Sequence, residues 1–372
     1  MKILVLTHEY PPVGGGGGHV AQDIAGGLAR RGHEIVLLTS HFGDLPKNEI
    51  LDGMRIVRVP ALRWKSFRAS FLSMAAYIAR GLWACFRLLN EWRPDVIHVH
   101  FAVPGGVLAW AFSRLTKIPY ILTAHLGDVP GGAPEKTDKW FRWIFPLTHR
   151  IWRDARQVVA VSEFTRGLAL EHYDVDIKVI HNGVDLSELA PEEIVINEPP
   201  RIVFAGRFAE QKNPLQIVRS LADVKDLPWE AVLIGDGHLG DQVKAEVHAH
   251  GMDEHFVFPG WVTPAEVQSW MKKSDILFMP SLSEGLPVVG VQSVAAGLAL
   301  LVSNIGGFVD LVDDGQNGFL VNEPDDYAEH LRTLLSSPDK LKKMRTASVA
   351  KSQYFDLDFI VGKYEILLGE GQ

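Results

Sequence analysis

Short apolar runs separated by helix-length stretches recur along this 372-residue chain. That alternation constrains the fold more than any other feature. Strand-like runs fall near 2–7, 34–39, 55–59, 95–99, 119–123, 157–161 and 177–180. A second set follows near 201–206, 230–235, 256–258, 275–279, 299–303 and 318–321. Parallel strands need long crossovers, so this rhythm predicts an α/β fold built on parallel sheets. The length suffices for two domains. The polar, proline-rich stretch Pro191–Pro200 reads as the linker, which gives domains 1–190 and 191–355. The segment Asp356–Leu368 is helical in pattern.

Composition removes several classes. A hydrophobic share of 47% with 22% charged residues fits a soluble globular protein. The single cysteine, Cys85, excludes disulfides within the chain and points to a reducing, cytoplasmic setting. No run of about 18 apolar residues predicts a spanning helix. Met1-Lys2 leads directly into Ile3-Leu4-Val5-Leu6, a first strand rather than a signal peptide. The net charge of −8 hides an asymmetry. Residues 1–190 carry 22 Lys+Arg against 18 Asp+Glu, and the remainder 15 against 27. A basic half can favour an anionic partner, but no nucleic-acid motif lies beside it, so none is expected.

The stretch Pro280-Ser281-Leu282-Ser283-Glu284-Gly285-Leu286-Pro287 reads as a strand end, a tight loop and a helix start. Pro287 suits the first helical position, and Gly297 the residue just past the end. Free N–H groups in the first turn make an anion seat. Glu284 lies just before them and suits hydroxyls better than phosphate. Gln292 lies about two turns into the helix. Phosphate donors beside a hydroxyl acceptor suggest a sugar nucleotide. A plain turn and a buried helix is the alternative.

Further motifs stand at other strand ends. Gly14 to Gly18 follow His8-Glu9-Tyr10-Pro11-Pro12-Val13 and allow close approach to a phosphate; a flexible turn is the alternative. They do not fit the dinucleotide fingerprint, because any start at Gly14 puts His19 at the third glycine position. His125, in Ala124-His125-Leu126-Gly127-Asp128, stands at a strand's carboxyl end, where ligands gather in open parallel sheets. His98 and His100 have no metal-spaced partners, so no metal site is expected. After Val203-Phe204-Ala205-Gly206, the cations Arg207 and Lys212 suit a diphosphate, Arg bidentately and Lys as a point charge. A solvated surface pair is the alternative. Leu233-Ile234-Gly235-Asp236-Gly237 is another strand-to-glycine turn.

Taken in order, these motifs resemble the family 4 retaining glycosyltransferases, from Tyr10-Pro11-Pro12 to Gly318-Phe319-Leu320. The resemblance implies a GT-B fold: two Rossmann-like domains with parallel sheets facing across a cleft. The first domain takes the acceptor, the second takes the nucleotide, and the final helix, within 356–372, packs back on the first. It implies hexosyl transfer from a UDP- or GDP-linked nucleotide sugar to an acceptor hydroxyl, with no metal and no cofactor. Glu284 stands where the family's first glutamate holds donor-sugar hydroxyls. Gln292 stands where a second glutamate holds the ribose, and here that charge is missing. His125 matches the histidine that contacts the donor sugar, and Asp128 an acid three residues on, expected near the acceptor. Arg207 and Lys212 occupy the positions that stabilise the leaving diphosphate. With His125 and Glu284 they form the expected catalytic set. Further donor contacts are expected from Gly15, Gly16, Gly206, Gly235, Gly285, Leu286, Pro287 and Val288. Trp261 and Val262 fall where the backbone reads the base. Gln292 motivates a runner-up, a nucleotide-sugar-binding protein with weak or lost catalysis.

Two stretches mix aromatic and basic residues. In 63–89, Trp64, Phe67, Phe71, Leu72, Trp83 and Phe86 lie among Arg63, Lys65, Arg68, Arg80 and Arg87. In 136–156, Trp140, Trp143, Phe145 and Trp152 lie among six Lys+Arg and two acids. Such helices can rest in a membrane interface; core packing with snorkelling cations is the alternative. The membrane reading implies a peripheral enzyme on the inner face of the plasma membrane. Its acceptor would be a lipid-linked or cell-envelope glycan of polysaccharide biosynthesis.

Overall fold

The computed structural model describes residues 1–65, 69–132 and 145–370. Phe67 and Arg68 of the first aromatic stretch, and Trp140 and Trp143 of the second, lie outside the described residues. The chain forms two compact units, Met1–Gly183 with Leu357–Gln372, and Val184–Asp356.

The first unit holds an eight-stranded sheet. Its strands are β1 (Lys2–Leu6), β2 (Glu34–His41), β3 (Asn48–Leu51), β4 (Met54–Pro60), β5 (Val96–His100), β6 (Tyr120–Ala124), β7 (Gln157–Ala160) and β8 (Ile177–Val179). The order is β3-β4-β2-β1-β5-β6-β7-β8, and every pairing except β3 with β4 is parallel. Helices cover both faces of such a sheet, so its strands are apolar along their length: Ile3 to Leu6 and Ile97 to His100 are wholly buried. Strand β3 escaped the apolar-run reading, while β4 was read near 55–59. Asn48-Glu49-Ile50-Leu51 is largely exposed, and a turn with positive φ at Asp52 and Gly53 joins it to β4. The final helix, Leu357–Gly369, packs on helix Gly16–Arg30. Arg31 binds Asp358 and Glu365 there, and Arg156 donates to the carbonyls of Leu367 and Leu368.

The second unit holds six parallel strands: β9 (Arg201–Ala205), β10 (Glu230–Ile234), β11 (Phe256–Gly260), β12 (Ile276–Met279), β13 (Ala299–Ser303) and β14 (Gly318–Val321). Their order is β11-β10-β9-β12-β13-β14. The stretch 191–200 is not a free linker, and the boundary between units lies at Gly183/Val184. The buried Arg345 pairs with the buried Asp275 and donates to the carbonyls of Val195 and Gly297, each at 2.7 Å. Asp275 in turn accepts from Asn197 Nδ2 at 2.8 Å and from the Arg201 N–H at 2.7 Å. These bonds satisfy a buried ion pair and sew the proline-rich segment onto the second sheet.

In each sheet the strand order reverses once. The first sheet turns back between β1 and β5, and the second between β9 and β12. Crevices at the carboxyl ends of such strands are where α/β sheets bind ligands.

Candidate functional site

In the second unit, the turn after β9 runs beside the loop after β12. The Leu282 N–H donates to the Gln211 carbonyl at 2.8 Å, and Gln211 Nε2 donates to the Ser283 carbonyl at 2.9 Å. Next along, Lys212 Nζ donates to Glu284 Oε1 at 2.5 Å. The three contacts fix a cation against a carboxylate that is only 6% exposed. Arg207, on the same turn, is exposed and has no side-chain partner among the described residues. Gly306 and Gly307 lie flat against this loop. A Cβ on either would fall within 2 Å of the carbonyl oxygens of Glu284 and Gly285. Neither Gln211 nor this glycine pair was among the expected residues. Two glycines shortly after an apolar strand, past Asn304 and Ile305, were the available signal.

The helix that follows runs Val288–Ala295, with Pro287 as its cap. Pro287 thus stands one place before the first helical position expected for it, and its fixed φ fits both. No side chain caps this end, so first-turn N–H groups remain for a ligand or water. Gln292 is half-buried one turn on, Leu286 and Pro287 are buried, and Gly285 and Val288 are half-buried. Gly206 and Gly235 meet at neighbouring strand ends: the Gly206 N–H donates to the Ile234 carbonyl, and the Gly235 N–H to the Gly260 carbonyl. Beyond β11, Trp261 is 71% exposed and Val262 half-buried. This surface offers cations, free amides and one carboxylate, which together can hold a phosphate group beside hydroxyls.

In the first unit, the glycine loop is organised by Glu9. Its carboxylate accepts the Gly15 N–H at 3.0 Å, and Gly16 opens the helix Gly16–Arg30. Gly17 faces Phe101: a Cβ there would lie 2.5 Å from the ring. Phe101 stacks on His125, with centroids 4.4 Å apart and planes at 28°. His125 Nε2 lies 3.4 Å from His100 Nδ1. The His125 ring accepts the Asp128 N–H in a capping box. Deeper, His98 Nε2 bonds Thr123 Oγ1 at 2.9 Å, and Thr123 reaches the Tyr364 hydroxyl at 3.2 Å.

Burial drives these imidazoles neutral. It lowers His8 and His125 to about 4, His98 to about 3, and His100 well below its ordinary value. Asp128, expected near the acceptor, is buried, and both its oxygens hold backbone N–H groups. Glu9 and Phe101 were not foreseen, and nothing in the local sequence of Phe101 marks it. Among the described residues, no group of three or more His, Cys, Asp or Glu is placed to hold a metal ion.

Two family models cover most of the chain. That of Glycosyltransferase Family 4 matches residues 14–188, and that of Glycosyl transferases group 1 matches residues 187–350. A 2-deoxystreptamine glucosyltransferase of Streptomyces kanamyceticus is 28% identical over 337 residues, 82% of this chain and 85% of that protein. Sucrose-phosphate synthase from Thermosynechococcus elongatus is similar in structure, with TM-score 0.84 at 16% identity, over 98% and 97% of the two chains. Anabaena HepE in complex with UDP-glucose gives TM-score 0.76 at 19% identity, over 99% of each. At those identities the structural likenesses speak for the fold.

Proposed function

The chain belongs to the family 4 glycosyltransferases and has their GT-B fold, and from that premise we propose a retaining, metal-independent hexosyltransferase using a UDP- or GDP-linked donor. The observation that carries the reading is the contact of Lys212 with Glu284 at the ends of β9 and β12. A cation for the diphosphate stands beside a carboxylate for the sugar's hydroxyls, as one nucleotide sugar requires. Arg207, Lys212 and the first-turn amides of helix Val288–Ala295 stabilise the leaving phosphate as its charge develops. An acceptor hydroxyl attacks the anomeric carbon from the face the phosphate leaves, and the phosphate helps to remove the hydroxyl proton. In the first unit, His125 is assigned to the transferred sugar and the glycine loop to the donor. The UDP-glucose in the HepE complex supports a uridine donor.

The acceptor assigned is a lipid-linked or cell-envelope glycan. Helix Phe71–Leu88 supports this, because Leu72, Trp83 and Phe86 are exposed beside Arg80 and Arg87. Trp152 gives no such support: it is buried and stacks on Tyr173 at 4.1 Å. Among the described residues no helix is long and apolar enough to cross a membrane.

A thermal-shift screen of nucleotide sugars, followed by turnover with the stabilising donor, tests the function. A product anomer of the donor's configuration, formed at undiminished rate in chelator, is expected. A donor that binds and is neither transferred nor hydrolysed would leave a nucleotide-sugar-binding protein, the reading that Gln292 favours.

A further inference from the structure

Asp128 is 5% exposed and joins two loops. Its Oδ1 accepts the Ala102 N–H at 2.8 Å, on the turn after β5. Its Oδ2 accepts the His125 N–H at 2.9 Å, on the turn after β6. The Val103 N–H also faces the carboxylate. Between the bonded groups stands Phe101, with φ 70° and ψ 128°, a conformation that bulky residues avoid. Such backbone persists only where its surroundings over-determine it. Here the over-determination is visible: the Phe101 N–H is held by the Thr123 carbonyl, Ala102 by Asp128, and the ring by His125 and His8.

We propose that Asp128 is a positioning residue for the transfer reaction: by holding the backbone of both turns it sets Phe101 against His125, and it touches no substrate itself. The proposal rests on the assignment of His125 to the transferred sugar. The chemistry explains why a carboxylate stands here. Two loops need two acceptor oxygens. Asn has one, and its amide would face a backbone N–H. No ion pair offsets the Asp128 charge among the described residues; the groups that face it are Glu9, Tyr173 and the neutral His125 ring. A buried carboxylate without a cation is costly, which argues against a merely structural choice. Burial lifts the carboxyl to about 7, against the pull of the His125, Ala102 and Val103 N–H groups, and Glu9 lifts it further. Protonation leaves one oxygen fewer to accept N–H bonds, so the bracket loosens on the acid side.

The test compares wild type with Asp128→Asn, reading both turnover and the His125 ring resonance by NMR. The variant should lose at least roughly 10²-fold in kcat, the cost of a small misplacement, with donor KM within about threefold. Its His125 ring should lose the shift that stacking under Phe101 imposes. In wild type, kcat should fall below pH about 7, and the His125 resonance should step at the same midpoint. A folded variant with wild-type kcat, or with an unmoved His125 resonance, overturns the proposal. If the variant does not fold, wild type decides: a His125 resonance with no step near neutral pH overturns it equally. If wild type transfers sugar from no nucleotide sugar, the functional reading fails, while the resonance still tests the bracket.

Discussion

Lys212 Nζ lies 2.5 Å from Glu284 Oε1, so the cation assigned to the diphosphate and the carboxylate assigned to the sugar neutralise each other in the ligand-free protein. Glu284 is buried, and the Lys212 side chain is about one-fifth exposed. Removing one partner therefore strands a charge on the buried side. A fully buried pair costs about 3–5 kcal/mol when broken this way. The opening at Lys212 reduces that to an expected 1–3, roughly.

Lys212→Ala should lower kcat by at least roughly 10²-fold, the worth of one transition-state charge donor. It should also destabilise the fold in urea, and Lys212→Ala with Glu284→Ala together should cost less than the two single losses summed. Additive losses would mean that the two side chains are uncoupled. Near-normal turnover in Lys212→Ala, with a confirmed donor, would remove Lys212 from the diphosphate site.

The buried imidazoles make a pH prediction with a definite sign. Folding depresses His8, His19, His98, His100 and His125. Each contributes stability that is present above the unfolded value near 6.5. It is lost as pH falls from there, because only the unfolded chain takes up the proton; for His8 and His125 the loss runs down to about 4 and for His98 to about 3. Each histidine adds a slope of up to about 1.4 kcal/mol per pH unit. Asp128, raised to about 7, works the other way: its contribution is full at low pH and is lost as pH rises through that value. With five imidazoles against one carboxyl, unfolding free energy should fall from pH 6.5 to 5. His98→Gln should flatten the slope by about one proton's worth. An unchanged slope would mean that His98 is charged in the folded protein.

Much of this was legible in the sequence, for a physical reason. Strands buried on both faces must be apolar throughout, so β1, β5, β9 and β12 announce themselves as runs. The exposed β3 need not be apolar, and it was invisible. Lys212 and Glu284 stood out because each is a charge beside an apolar strand end. Phe101 did not, because its meaning lies in a backbone angle and in a ring 24 residues away. Asp128 was noticed for its spacing from His125, and its backbone partners were not foreseen. Spacing along the chain showed that the two lie on one turn, but not that the carboxylate faces inward to backbone amides.

Gln292 is half-buried, on the helix that starts beside Glu284. A neutral amide there should hold ribose hydroxyls less tightly than the carboxylate it replaces. One charged hydrogen bond is worth about 1.5–3 kcal/mol against about 1 for a neutral one. Gln292→Glu should therefore tighten nucleotide binding by up to roughly tenfold, read by calorimetry with the free nucleoside diphosphate. Weaker or unchanged binding would show that the pocket has been rebuilt around the amide.

The first unit's surface carries the last prediction. Helix Phe71–Leu88 buries Ser73, Tyr77, Gly81, Cys85 and Leu88 and turns Leu72, Trp83 and Phe86 outward. Trp64 is 84% exposed nearby in the sequence. Arg80, Arg87 and Lys65 are exposed among them. Arg63 is not free to join them: its side chain is covered, and it donates to the carbonyls of His8 and Lys65. Reversing its charge would damage the glycine loop rather than test a membrane contact. An apolar stripe edged by cations can rest in the headgroup layer, each near-surface cation adding about 1 kcal/mol on anionic lipid. The protein should therefore co-sediment with vesicles containing phosphatidylserine, and less with neutral ones. Salt should weaken the binding. So should Arg80→Glu combined with Arg87→Glu, without loss of turnover on a soluble acceptor analogue. If the protein stays in the supernatant with anionic vesicles at low salt, the stripe is not a membrane contact. A soluble glycan or small-molecule acceptor then replaces the lipid-linked one.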